Sequence, residues 1–280
     1  MLLGGTSALS IRRNRVYNNE QSGVFIIRGE VVLEENEIFS NGGIAVTIDV
    51  ESGPTLRRNR IRENKEGVHI AKIMDDKTLL KFNEMFSVSE SGGDVVAEDG
   101  KFLPVHGNGG EALLEDNEIF SNKGNGVAIR GGSVPTLRRN QIRDNEDGVH
   151  IGETSKGILE DNEIVANKRI GVDIFQSTPT LRRNRIHSTK EDGIHFHEGS
   201  GGILEDNDVF SNEEDGVLIK DASNPVVRNN RINRNKGVAI RVEKSGEGLV
   251  ENNDLRSNEQ GAWSVSSDNK SRLMQKHNQE

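Results

Sequence analysis

One asparagine returns every 22 or 23 residues along nearly the whole chain, and this period constrains the fold more than any other feature. The positions are Asn14, Asn36, Asn59, Asn83, Asn117, Asn140, Asn162, Asn184, Asn207, Asn230 and Asn253, with one long step of 34 residues after Asn83. A fixed period in this range is the signature of a solenoid, in which each coil stacks on the last. Two residues after the asparagine comes an aliphatic side chain, as at Ile38, Ile61, Ile119 and Ile142. Five after it a second asparagine often follows, as at Asn41, Asn64, Asn122 and Asn145. A glycine then opens a short alternating run, such as Gly67-Val68-His69-Ile70 or Gly171-Val172-Asp173-Ile174. Such β-branched runs read as strands, each too short to bury a face alone.

Helical repeats would need an unbroken stretch of good helix formers about ten residues long. Every coil instead carries Gly, Asn or Pro breakers, and the closely spaced leucines of a leucine-rich repeat are missing. The pattern predicts an all-β, right-handed parallel β-helix of about eleven to twelve coils, with three short strands per coil. Residues 1–265 form this single domain, with an insertion loop at about 88–112 and a polar tail at 266–280. At a strand spacing of about 4.8 Å the rod is roughly 50 Å long. Its core is a narrow aliphatic column, which fits a chain with only 4% aromatic residues. The asparagines are expected at turns, where Asn tolerates left-handed backbone, with their amides laddered from coil to coil.

A second period overlies the first. The two residues before the ladder asparagine alternate in sign: Arg12-Arg13, Arg57-Arg58, Arg138-Arg139 and Arg182-Arg183 against Glu34-Glu35, Glu115-Asp116, Glu160-Asp161 and Glu205-Asp206. Stacking sets a basic pair between acidic pairs, so a one-coil slip would oppose like charges.

Coils such as Thr55-Leu56-Arg57-Arg58-Asn59-Arg60-Ile61 and Leu114-Glu115-Asp116-Asn117-Glu118-Ile119 resemble the parallel β-helix repeats of F-box-only proteins, as do the lead-ins Pro54, Pro135, Pro179 and Pro225. The resemblance covers residues 7 to 263, without an F-box or a Cys/His-rich zinc module. It implies a substrate-recognition surface of a ubiquitin ligase receptor. The leading expectation is therefore a non-catalytic scaffold that recognises a protein partner. The alternative is a carbohydrate-binding or carbohydrate-active β-helix of lyase, hydrolase or epimerase type. The polygalacturonase-type strings Asn-Thr-Asp, Gly-His-Gly and Arg-Ile-Lys and the epimerase-like Asp-Pro-His-Glu do not occur.

Chemistry-bearing residues concentrate in one column, the second residue after the strand-opening glycine. It is read as Phe25, His69, Ala128, His150, Asp173, His195, Leu218, Ala239 and Trp263, pointing outward between inward aliphatics. His150, Asp173 and His195 fall on successive coils, with Glu153, His197 and Glu198 close by, and the strip reads as a solvated charge ladder. These six, with Phe102 of the insertion, are the candidate binding residues. Histidines on alternate coils stand about 10 Å apart, too far to share one ion unaided, so neither a metal nor a cofactor is expected. No catalytic residue is assigned.

The absence of cysteine excludes disulfides and thiolate chemistry. A net charge of −9 argues against nucleic acid as partner. No run approaches the ~20 apolar residues of a membrane span, and the first residues do not read as a signal peptide. A cytoplasmic or nuclear location is the expectation, with end-to-end self-association through open strand edges.

Overall fold

The computed structural model describes residues 1–3, 9–27, 29–49, 52–71, 111–267 and 272–280. Three parallel sheets run the length of the rod, two of eleven strands and one of nine. A coil takes one strand from each: Thr136–Arg138 in the second sheet, Gln141–Arg143 in the third and Val149–Ile151 in the first. Equivalent aliphatics stack into dry columns. Leu114, Leu137, Leu159 and Leu181 form one, and Ile119, Ile142, Ile164 and Ile186 another, all fully buried.

The asparagine ladder is continuous. From Asn36 onward each rung donates its backbone N–H and its Nδ2 to the Oδ1 of the next, as Asn140 does to Asn162 at 2.9 and 3.0 Å. The turn chemistry differs from expectation. The left-handed residue is the one before the asparagine: Arg58 (φ 53°), Asp116 (55°), Arg139 (54°) and Asp161 (55°). Charged residues carry the left-handed backbone in these coils, Asn229 (φ 56°) and Asn252 (57°) carry it before Asn230 and Asn253, and the ladder asparagine's amide holds the corner by hydrogen bonding. The glycine that precedes most first-sheet strands answers a close approach. A Cβ on Gly148 would lie 2.5 Å from the Gly171 carbonyl oxygen and 2.6 Å from Ile164 Cγ2.

The charge alternation forms as pairs between coils. Arg139 reaches Asp116 at 2.8 Å and Glu115 at 2.6 Å, and Arg228 reaches Glu205 at 2.8 Å. Two details of the coil assignment differ from expectation. Asn59 donates directly to Asn117 at 2.9 and 3.0 Å, and Thr55–Arg57 pairs with Leu113–Glu115. Asn59 and Asn117 are thus adjacent rungs; Asn83 and Phe102 lie outside the described residues. At the other end the polar tail joins the solenoid. Leu273–Lys276 pairs with Gly248–Glu251, Leu273 reaches the core, and Asn278 Oδ1 accepts from Asn253 at 3.0 Å. One apolar residue and one ladder amide are enough to build that strand.

Candidate functional site

The outer face of the first sheet gathers histidines and carboxylates because stacking aligns one slot of the repeat. Ala128 pairs with His150, His150 with Asp173, Asp173 with His195, and His195 with Leu218. The column departs from expectation elsewhere. Thr47 stands between Phe25 and His69, and Leu218 is followed by Arg241 and Ser264 in place of Ala239 and Trp263. The cause is that Ala239 fills the slot glycine holds in other coils: its carbonyl accepts the Val217 N–H as that of Gly216 accepts the Ile194 N–H. Gly237 resembles a strand opener but sits two positions early.

Asp173 is the hub. Its Oδ2 lies 2.8 Å from His150 Nδ1 and its Oδ1 lies 3.0 Å from His197 Nε2. Burial pushes the Asp173 carboxyl up, but hydrogen bonds from His150 and His197 outweigh it and hold the group well below the usual carboxylate range. An ionised carboxylate only accepts, so His150 donates from Nδ1 and His197 from Nε2. Gly152 leaves room for the first ring: a Cβ there would come within 2.9 Å of His150 Nε2.

His195 is not the solvated group expected of a charge ladder. It is 9% exposed, its ring is 4.8 Å from that of His197, and its Nε2 has no hydrogen-bond partner among the described residues. Burial, then the Lys220 ammonium and His197, pushes it down to about 4. The ring is therefore neutral at pH 7, with an unused buried nitrogen. Phe175 packs on the far side of the cluster, 5.3 Å from His197.

Glu153 and Glu198 are not drawn in. Both are exposed turn residues with left-handed backbone, and Glu153 lies 3.5 Å from Arg130. Sequence reasoning missed Asp147, Asp192 and Asp215, which occupy the slot three residues ahead of the column and look like ordinary turn residues. All three are buried. Burial raises Asp147, against the Ile170 N–H bond at 3.2 Å that lowers it. Asp192 is pushed up to about 7 by burial, opposed by the Asp215 N–H at 3.0 Å and reinforced by the charges of Asp215 and Glu214. Asp215 accepts from the Val238 N–H at 2.8 Å and from the Arg241 guanidinium. The signal that finds these residues is the coil register: slots on one outward face must be read together, not one column at a time.

With this geometry in place, comparison with known proteins gives three findings. The family model "Right handed beta helix region" matches residues 2–108, 96–202 and 147–275. No curated protein matches the chain. Among solved structures, the periplasmic alginate epimerase AlgG is similar with a TM-score of 0.71 at 14% identity, over 99% of this chain and 76% of that one. The A-module of the mannuronan C-5 epimerase AlgE4 of Azotobacter vinelandii is similar at 0.56 and 13% identity, over 95% and 81%. The catalytic unit of a GH87 α-1,3-glucanase from Streptomyces thermodiastaticus is similar at 0.52 and 12% identity, over 98% and 63%. These neighbours are carbohydrate-active enzymes and not ubiquitin ligase receptors, so the expectation of an F-box-type protein-recognition scaffold is overturned. That resemblance rests on the β-helix repeat itself. Matched along most of its length, with three parallel sheets around one aliphatic column, the chain belongs to the right-handed β-helix family.

Proposed function

We propose that the chain is a carbohydrate-active β-helix and that its glycan lies across the outer face of the first sheet, over His150, Asp173, His195 and His197. The observation that carries this is the buried, unpartnered Nε2 of His195 beside a carboxylate already fixed by two imidazoles. A buried polar atom without a protein partner calls for a water or a bound group. A neutral imidazole beside an oriented Asp–His pair has the composition of an acid–base site. In this reading His195 exchanges a proton with the substrate, while Asp173, His150 and His197 hold one another in register. The carbohydrate-active neighbours on the same fold support the substrate class, although fold alone does not give function.

The test is a glycan array followed by a turnover assay on any ligand found. His195→Gln should abolish turnover while leaving the circular dichroism unchanged. Unaltered glycan binding and turnover in both His195→Gln and Asp173→Asn would place the site elsewhere.

A further inference from the structure

Lys220 stands on the coil that follows His195. Phe175 pairs with His197 in the first sheet, and Phe196 pairs with Ile219, so the next residue, Lys220, lies beside His197 in the same outward slot. Its backbone N–H donates to the Phe196 carbonyl at 2.9 Å, which fixes this register. Leu218, two residues earlier and on the same face, is the partner of His195. Phe175, His197 and Lys220 thus set an aromatic ring, an imidazole and an ammonium in line along the rod, beside the column of His150, Asp173 and His195.

The ammonium has no counter-charge of its own. Among the described residues every other half-buried lysine or arginine is in an ion pair, and Lys220 is in none. The carboxylates around it are engaged elsewhere. Asp173 holds His150 and His197, Asp221 lies 3.8 Å from Lys244, and Glu243 lies 3.9 Å from Arg241. After burial, the Lys220 charge is the strongest influence keeping the His195 ring neutral. Partly burying an ammonium costs hydration that no protein carboxylate offsets here. The unpartnered, nine-tenths buried His195 ring on the adjacent strand is a second, independent mark of a ligand at the same spot. A sugar hydroxyl would answer the imidazole alone. A negative group answers the ammonium as well, and a positive one would be repelled by it.

Resting on the carbohydrate reading above, we infer that the glycan is acidic, with an anionic ring substituent, a carboxylate or a sulfate ester, seated on Lys220 while Phe175 supports the apolar face of the sugar. Neutralising Lys220 in this way removes the charge that opposes protonation of His195, so the bound anion also sets the acid–base group.

The experiment measures calorimetric binding at pH 7 of three length-matched oligosaccharide series: neutral, carboxylated and sulfated. An acidic series should bind about tenfold more tightly than the neutral one, as expected for one partly desolvated charge pair, and the tighter of the two acidic series identifies the substituent. Lys220→Met should erase that preference, and Lys220→Arg, which keeps the charge, should retain most of it. Lys276→Met removes the same charge from the second sheet and should leave the preference intact. An equal loss in Lys220→Met and Lys276→Met would show bulk charge attraction and overturn the inference. The His195 imidazole, followed by NMR, should titrate at higher pH in Lys220→Met, and in the unaltered protein when an acidic oligosaccharide is bound. Tighter binding of the neutral series, or an acidic preference that survives Lys220→Met, would overturn the inference while sustaining the carbohydrate site. No binding by any series would overturn the carbohydrate reading itself.

Discussion

Replacing Asn162 by leucine tests the ladder at its centre. The Asn162 Oδ1 accepts from the Asn140 N–H at 2.9 Å and from Asn140 Nδ2 at 3.0 Å, and its own Nδ2 donates to the Leu137 carbonyl and to Asn184 Oδ1, each at 2.9 Å. Leucine keeps the volume and deletes all four bonds. Asn140 Nδ2 retains the Leu114 carbonyl at 2.8 Å, and Asn184 Oδ1 retains the backbone N–H of residue 162. The Asn140 N–H, in a fully buried corner, is left with no acceptor. A stranded buried donor costs about 1–3 kcal/mol and the lost hydrogen bonds to the Leu137 carbonyl and Asn184 Oδ1 about 1 each, so the variant should lose about 3–5 kcal/mol. Urea denaturation followed by circular dichroism measures the global effect, and hydrogen exchange at the Asn140 amide measures the local one. Asn14→Leu is the control: its side chain makes one exposed bond, to the Arg12 carbonyl, and the change should stay within about 0.5 kcal/mol. An unchanged midpoint together with a still-protected Asn140 amide would refute the reasoning.

Other consequences are equally direct. Gly148→Ala forces a methyl against the Gly171 carbonyl and Ile164, and should lower stability by about 1–3 kcal/mol in thermal melts. Asp192 titrates at about 7 in the folded chain, above an ordinary carboxyl, so the native state holds the extra proton and stability falls as pH rises from about 4 to about 7. Asp192→Asn should therefore stabilise the protein at pH 8 and leave it unchanged at pH 4, measured by urea midpoints. His195 is shifted the other way, to about 4 from an ordinary value near 6.5, so the unfolded chain binds more protons between them and stability falls as pH drops through that window. His195→Gln should flatten this acid limb.

The period, the all-β class, the amide ladder and the alternation of charge were legible because each is a statement about equivalent positions, and stacking preserves equivalence. What the sequence hid is where equivalence breaks. Ala239 in a glycine slot moved Arg241 into the column, and a one-residue misreading of a strand exchanges every side chain between core and surface. The His150–Asp173–His197 cluster was partly visible, since two of its members share a column. The second arm was not, because the Asp173–His197 contact crosses from one column to the next. The burial of His195 was also invisible, since an outward position lies there against the His197 ring of a neighbouring slot.

The direct stacking of Asn59 on Asn117 had a signature in the chain, and it was electrostatic. If Asn83 were a ladder position, the pair before it would be Lys81-Phe82, and the basic coil of Arg57-Arg58 would have no acidic neighbour on that side. With Asn59 stacked directly on Asn117, Arg57 meets Glu115 at 3.1 Å and the alternation runs on unbroken. The asparagine period alone accepts either arrangement, because any asparagine at roughly the right spacing satisfies it. The charge period accepts only one, since the alternative leaves a buried Glu115 without its partner from the preceding coil. Register in this rod is therefore set by two codes of different specificity. The amide ladder makes each coil stackable, and the paired charges decide which coil stacks on which.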